Sequence, residues 1–221
     1  MLGIFDSGSG GLNTVRYIKR AYEDADAVYL IDRKNAPYGI KSEKELIRLT
    51  ERNIDILKDM GAGMVLIACC TASTVYTKLS KKHRESAFPI IDPTAAAAAR
   101  ATENGRIGVI ATRRTVKSRA FSELLGAFEV YESEAQSLVT DIDNGLTDDT
   151  AREQDKERLR DMLSPLITKN IDTLILGCTH FPSLIHTFEE VAYPLGVKTV
   201  INSAKEGADA LMTSYSRTLW R

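Results

Sequence analysis

The chain has 221 residues, 43% hydrophobic and 27% charged, which supports a sizeable core in one large or two small domains. Its formal net charge of −1 supplies no basic surface for a phosphate backbone, and no apolar run approaches the ~20 residues that span a bilayer, so neither nucleic acid nor membrane is an expected partner. Three cysteines, two of them adjacent, make no disulfide framework, and the opening MLGIFDSGSGG lacks the regions of a signal peptide; the expectation is a reduced, cytoplasmic protein.

Short runs rich in Val, Ile and Leu recur along the chain. LGIF comes first and gives way to Asp6-Ser7-Gly8 and a glycine-rich turn. AVYLID follows, then Asn35-Ala36-Pro37-Tyr38-Gly39. Ser42 to Glu45 has the capping-box form, and Leu46, Leu49, Ile54 and Leu57 make the apolar face of a helix that Gly61 stops. MVLIA ends at Cys69-Cys70-Thr71, and FPIID leads into an alanine-rich helix at Asp92-Pro93-Thr94. RIGVIAT comes next, then an amphipathic helix over Lys156 to Ile171, then TLILG, which ends at Cys178-Thr179-His180. KTVIN and a second capping-box pattern, Ser203 to Glu206, open the final helix. Strands alternating with helices predict an α/β fold of βαβ units with mainly parallel, doubly covered sheets. A division at Asp92-Pro93-Thr94, with a return crossing at Val200 to Ser203, gives one domain of residues 1–92 plus 201–221 and another of 93–200.

In open parallel sheets, ligands bind at the carboxyl ends of the strands. Here those ends carry Asp6-Ser7, the loop through Tyr38, Cys69-Cys70-Thr71 and Cys178-Thr179-His180. Helix N-termini after three of them would favour a bound carboxylate and lower a thiol pKa. A lone cysteine at a buried strand end is usually a packed apolar residue. Two in parallel contexts, the second followed by Thr-His, favour chemistry. The turn DSGSGG lacks GxGxxG and the P-loop lysine, so a phosphate cradle is the weaker reading, and its glycines suit a tight turn. Pro37-Tyr38-Gly39 read alone is a turn. His83, within Lys81-Lys82-His83-Arg84, is expected on a solvated face, and His186 at the surface or in packing. No metal site is expected, because no CxxC pair or ligand cluster is present.

The ordered motifs GIFDSGSGGL, PYGIKS, ACCTAS and LGCTHFP, with RIGVIATRRTVKS and VINSA, resemble the glutamate racemases of the cofactor-independent aspartate/glutamate racemase family. The resemblance covers nearly the whole chain. It implies two similar parallel-sheet α/β domains with the active site in the cleft between them, an amino-acid substrate and no cofactor. It also implies that Cys69 and Cys178 are the two acid–base groups on opposite faces of the substrate carbon, the first deprotonating the D isomer and the second the L isomer. Removing a Cα proton from one face and returning one to the other calls for two such groups. Asp6 and His180 match the auxiliaries beside Cys69 and Cys178. Ser7, Pro37, Tyr38, Gly39, Cys70, Thr71 and Thr179, with Asp6 and His180, match positions that hold substrate. The implied role is supply of D-glutamate for bacterial peptidoglycan; a homodimer is compatible with this reading and not required by it.

Three positions depart from the family pattern. Cys70 stands where A-C-N-T-A has a substrate-contacting asparagine, Asp143 where a glutamate lies near the site, and Asn202 where aspartate is frequent. The chain is also somewhat short at its C-terminus. The rival readings are a racemase of aspartate or another amino acid and a non-catalytic amino-acid-binding relative. Thr179-His180 favours glutamate over aspartate, and retention of both cysteines argues against mere binding.

Overall fold

The computed structural model describes residues 1–22 and 25–219, with side chains to 214. The last two residues of the 201–221 segment lie outside that range. Two four-stranded sheets, parallel throughout, form the frame. The first half contains β1 (Leu2–Asp6), α1 (Leu12–Ala21), β2 (Ala27–Ile31), α2 (Glu43–Asp59), β3 (Met64–Ile67), α3 (Cys70–Ser73), α4 (Lys81–Ser86) and β4 (Ala87–Pro89). Next come α5 (Ile91–Ala101), β5 (Arg106–Ala111), α6 (Arg113–Ser118), α7 (Ala120–Leu124), β6 (Glu129–Glu134) and α8 (Gln136–Asp143). The chain continues through α9 (Glu153–Ile167), β7 (Thr173–Gly177), α10 (Ile185–Ala192), β8 (Thr199–Asn202) and α11 (Ser203–Leu219).

The sheets share one topology. Strand order is β2-β1-β3-β4 in one and β6-β5-β7-β8 in the other. In each, the strand order reverses between the two central strands, β1 and β3 or β5 and β7, which is where an open parallel sheet offers a crevice. β1 and β7 are buried along their whole length, as continuous apolar runs predict.

Several local expectations hold and several shift. Ser42 and Glu45 form the reciprocal capping box of α2. At the last helix the cap lies one residue earlier than Ser203: Asn202 Oδ1 accepts from the Lys205 N–H, while the buried Ser203 hydroxyl turns to the Cys70 thiol. FPIID is divided, because the strand ends at Pro89 and Ile91 already begins α5. The amphipathic helix before TLILG runs over Glu153–Ile167, three residues earlier at its start than its apolar period suggests, and Asp155 caps it by accepting from the Arg152 N–H. β6, EVYESE, has no counterpart among the apolar runs, since it is a half-buried edge strand rich in glutamate. His83 is buried rather than solvated: Ser80 and Asp55 lie within hydrogen-bonding distance of its ring, with Glu51 beside it. His186 is exposed.

The core has three apolar clusters. One lies around β1, α5 and α11, one lines the second sheet against α9 and α10, and one packs α2 on the first sheet. In the first cluster Ile18 from α1, Ala95 and Ala98 from α5, and Ala208 and Leu211 from α11 pack together. None of the helices among the described residues is long and apolar enough to cross a membrane.

Candidate active site

The carboxyl ends of both sheets open on one cleft. From the first half it is lined by Ser7 and Gly8 after β1, Pro37, Tyr38 and Gly39 beyond β2, and Cys69, Cys70 and Thr71 after β3. From the second come Thr112 after β5, residues of α8, and Cys178, Thr179 and His180 after β7. Ten of the expected site residues therefore meet here. Asp6 stands directly behind Ser7 and Gly8, fully buried, and is not part of the cavity wall.

Each cysteine occupies the same place in its sheet, at the end of the central strand on one side of the switch point. Both are free thiols, each only 5% exposed. Cys69 Sγ lies 3.2 Å from Ser7 Oγ and 3.5 Å from the Ala72 N–H that it caps. Cys178 Sγ lies 3.7 Å from His180 Nδ1. The far nitrogen of that ring, Nε2, is 3.2 Å from Asp143 Oδ1, which also accepts from Ser9 Oγ at 2.8 Å. Two parallel sets result, Asp6–Ser7–Cys69 and Asp143–His180–Cys178.

Helix dipoles were expected to lower the thiol pKa values, and the structure reverses that. Burial pushes Cys69 up to about 12, with the nearby Asp6 carboxylate adding to the rise. Hydrogen bonds from Ser7 and the Ala72 N–H pull it down without offsetting burial. Cys178 moves in the same direction, chiefly through burial, and a charge on Cys69 would raise it further. The physical reason is burial, which outweighs what the single turn of α3 and the 3-10 turn Phe181–Leu184 leading into α10 supply. Asp6 also rises by burial, despite lowering contributions from His180, the Gly8 N–H, Thr179 and Ser7. Its Oδ1 accepts from the Gly8 N–H at 2.9 Å, while Oδ2 is buried with no hydrogen bond of good geometry.

The loops are held by polar contacts made elsewhere. Tyr38 donates its hydroxyl to Asp32 Oδ2 at 2.6 Å, and Asn53 donates to both. What Tyr38 offers the cavity is therefore ring and backbone rather than a free hydroxyl. Burial alone would raise Asp32; hydrogen bonds from Tyr38, Asn35 and Asn53 and the Arg52 charge hold it below the usual range. Across the cleft, Asn13 Nδ2 donates to the Thr179 carbonyl at 2.8 Å and to Ser183 Oγ at 3.1 Å. Thr71 meets Thr112 hydroxyl to hydroxyl at 3.0 Å, and Thr115 stands beside both. Gly10 lets the first loop close on this edge, since a Cβ there would stand 2.6 Å from both Thr179 Oγ1 and His180 Nδ1.

Cys70 lines the cleft yet packs in the apolar cluster with Leu66, Ile90 and Ile91. Residues outside the sequence expectations also line it: Thr112, and Gln136 and Val139 of α8, which with Asp143 occupy i, i+3 and i+7 of one helix face. Thr112 ends RIGVIA as Cys178 ends TLILG, so the strand-end rule applied to that run finds it. Among the described residues no lysine or arginine lines the cleft.

A profile of the Asp/Glu/hydantoin racemase family matches residues 11–211. A glutamate racemase of Desulforudis audaxviator is 38% identical over 198 residues, covering 87% of this chain and 71% of the relative. One from Aquifex aeolicus is 37% identical over 215 residues, covering 95% and 81%. Among solved structures, a glutamate racemase isoform of Bacillus anthracis superposes with a TM-score of 0.87 at 31% identity, covering 99% of this chain and 82% of that one. The Francisella tularensis glutamate racemase in complex with D-glutamate gives 0.84 at 25%, covering 98% and 81%.

Because the folded pKa of Asp6 is raised, its contribution to stability is complete below the unfolded value near 3.8 and is lost as pH rises through the folded one. Asp6→Asn keeps an acceptor for the Gly8 N–H and removes the charge. The variant is expected to be more stable than the native protein at pH 7, with the gap closing at acid pH. Chemical denaturation across pH 4–8 measures it; an unchanged or lower stability at pH 7 contradicts the assignment.

Proposed function

The chain belongs to the Asp/Glu/hydantoin racemase family, and we propose that it interconverts L- and D-glutamate by passing the Cα proton between Cys69 and Cys178. The observation that carries this reading is the equivalent placement of two buried thiols, one from each sheet, on one cavity. Packing alone does not explain why each has its own carboxylate-backed partner.

In this mechanism Cys69 enters as thiolate and takes the Cα proton of the D isomer while its C–H electron pair stays on carbon. Cys178 then delivers its thiol proton to the opposite face and is left as thiolate; the L isomer runs the sequence in reverse. The Nε2–H of His180 directed at Asp143 leaves Nδ1 free to accept a proton from, or return one to, Cys178. Asp6 plays the corresponding part behind Ser7 and Cys69. With both thiols disfavoured as anions, the substrate ammonium supplies the positive charge that makes a thiolate tolerable. Hydroxyls of Ser7, Thr71, Thr112 and Thr179 and the backbone N–H groups of the strand-end loops supply neutral donors for the developing carbanion and its carboxylate.

The domains in this proposal are 1–92 plus 201–221 and 93–200, with the cleft between them. The proposed setting is the bacterial cytoplasm, and the proposed use of the product is as D-glutamate for peptidoglycan. The departure at Cys70 favours one second reading, a racemase tuned to a different acidic amino acid.

Cys69→Ala and Cys178→Ala should each reduce racemisation by several powers of ten, because neither general acid–base group has a substitute. Circular dichroism of L- and D-glutamate solutions follows the rate, and near-native turnover by either variant removes the two-thiol scheme.

The rate should be bell-shaped in pH. It rises as one thiolate forms in the complex and falls as the second thiol, whose proton must be delivered, is lost. A rate that only climbs with pH contradicts this.

Cys70 offers one weak donor where an asparagine offers an amide. Cys70→Asn is therefore expected to raise kcat/KM for glutamate by roughly tenfold. Steady-state kinetics with glutamate and aspartate decide the matter: if nothing changes, Cys70 is a packing residue.

A further inference from the structure

We propose that Gln136 grips the side-chain carboxylate of the substrate through an amide N–H and thereby sets the length of side chain the cleft accepts. This rests on the glutamate-racemase reading above and adds a specificity residue to it.

Three residues of α8 face the cleft, and two have evident occupations. Asp143 accepts from Ser9 and faces His180, and Val139 gives an apolar wall. The Gln136 amide has none: its Oε1 is buried with no hydrogen-bond partner. Buried amide atoms are nearly always paired, so an unpaired one on a cavity wall marks a place for a ligand atom. Rotation about the last side-chain torsion exchanges Oε1 and Nε2, so the same amide presents either an acceptor or a donor.

Position selects the substrate group. Gly39 lies beyond the edge strand β2 and Gln136 follows the edge strand β6, each two strands from the cysteine strand of its own sheet. At about 4.8 Å per strand, that end of the cleft is about 10 Å from the thiols. The two positions meet there, since a Cβ on Gly39 would stand 2.7 Å from Gln136 Oε1. With Cα held between the sulfurs, the α-carboxylate and ammonium stay near the thiols. Only the far end of a side chain extends toward Gln136.

The cleft lining fixes the sign of the interaction. No lysine or arginine among the described residues lines it, so a second carboxylate must be met by neutral N–H and O–H groups. At the Gly39 end the Gln136 amide is the uncommitted side-chain donor. A carboxylate one methylene nearer Cα falls short of it, which favours glutamate over aspartate.

The test is Cα proton exchange in D₂O, followed by NMR, for the native protein, Gln136→Met and Gln136→Glu. Substrates are L-glutamate, D-glutamate, L-aspartate and L-glutamine. Gln136→Met should raise KM for both glutamate isomers roughly ten- to hundredfold and leave kcat within about threefold. Gln136→Glu, nearly isosteric, should lose glutamate at least as severely and gain glutamine relative to it, because a carboxylate there repels one side chain and accepts from the other. If Gln136→Met folds poorly, the glutamate-to-glutamine ratio of Gln136→Glu decides alone. An unchanged glutamate KM, a fall confined to kcat, or an unchanged ratio overturns the role of Gln136 while leaving the racemase reading intact. Absence of exchange of any acidic amino acid by the native protein overturns both.

Discussion

Burying Cys69 and Cys178 where two sheets meet removes the water that would stabilise a thiolate, and the rest of the cleft is arranged around that penalty. Among the described residues no lysine or arginine lines the wall to relieve it in the resting protein. Asp6 makes the penalty larger, being itself buried and raised. Such a site resists ionisation until a cation enters it. In the proposed reaction an amino acid brings that cation as its ammonium group.

The duplicated strand order explains how one chain sets two like groups face to face. Each sheet brings a cysteine to the cleft from the end of a central strand and a loop from the end of an edge strand. Polar clamps made outside the cavity fix the loops, as with Asp32 beneath Tyr38 and Asn13 against Thr179.

Much of this was legible in the sequence because parallel strands buried on both faces are written as unbroken apolar runs. LGIF, MVLIA, RIGVIA and TLILG announce themselves, and polar residues that follow them line the one cleft proposed as the site. β6 was not legible, since an edge strand with half-buried Tyr131 and three glutamates carries no such run. Its successor α8 was missed with it, and so were Gln136 and Val139. The ionisation of the thiols was legible only with the wrong sign. Sequence shows that a helix follows a cysteine, but the depth of burial and the length of that helix are set by tertiary packing. His83 shows the same limit: four consecutive basic residues suggest solvent, yet Ser80, Glu51 and Asp55 enclose its ring.

The contact of α11 with α1 and α5 has a consequence for synthesis on the ribosome. Ile18 and its neighbours on the first sheet share a cluster with Ala208 and Leu211, nearly two hundred residues later. While translation proceeds, the second sheet can assemble as its strands emerge, but the part of α1 that α11 covers waits until α11 leaves the exit tunnel. The half made first is therefore completed last. During that interval a nascent chain leaves exposed the surface that α11 will cover, and the delay is encoded in the order of the elements rather than in any slow local step.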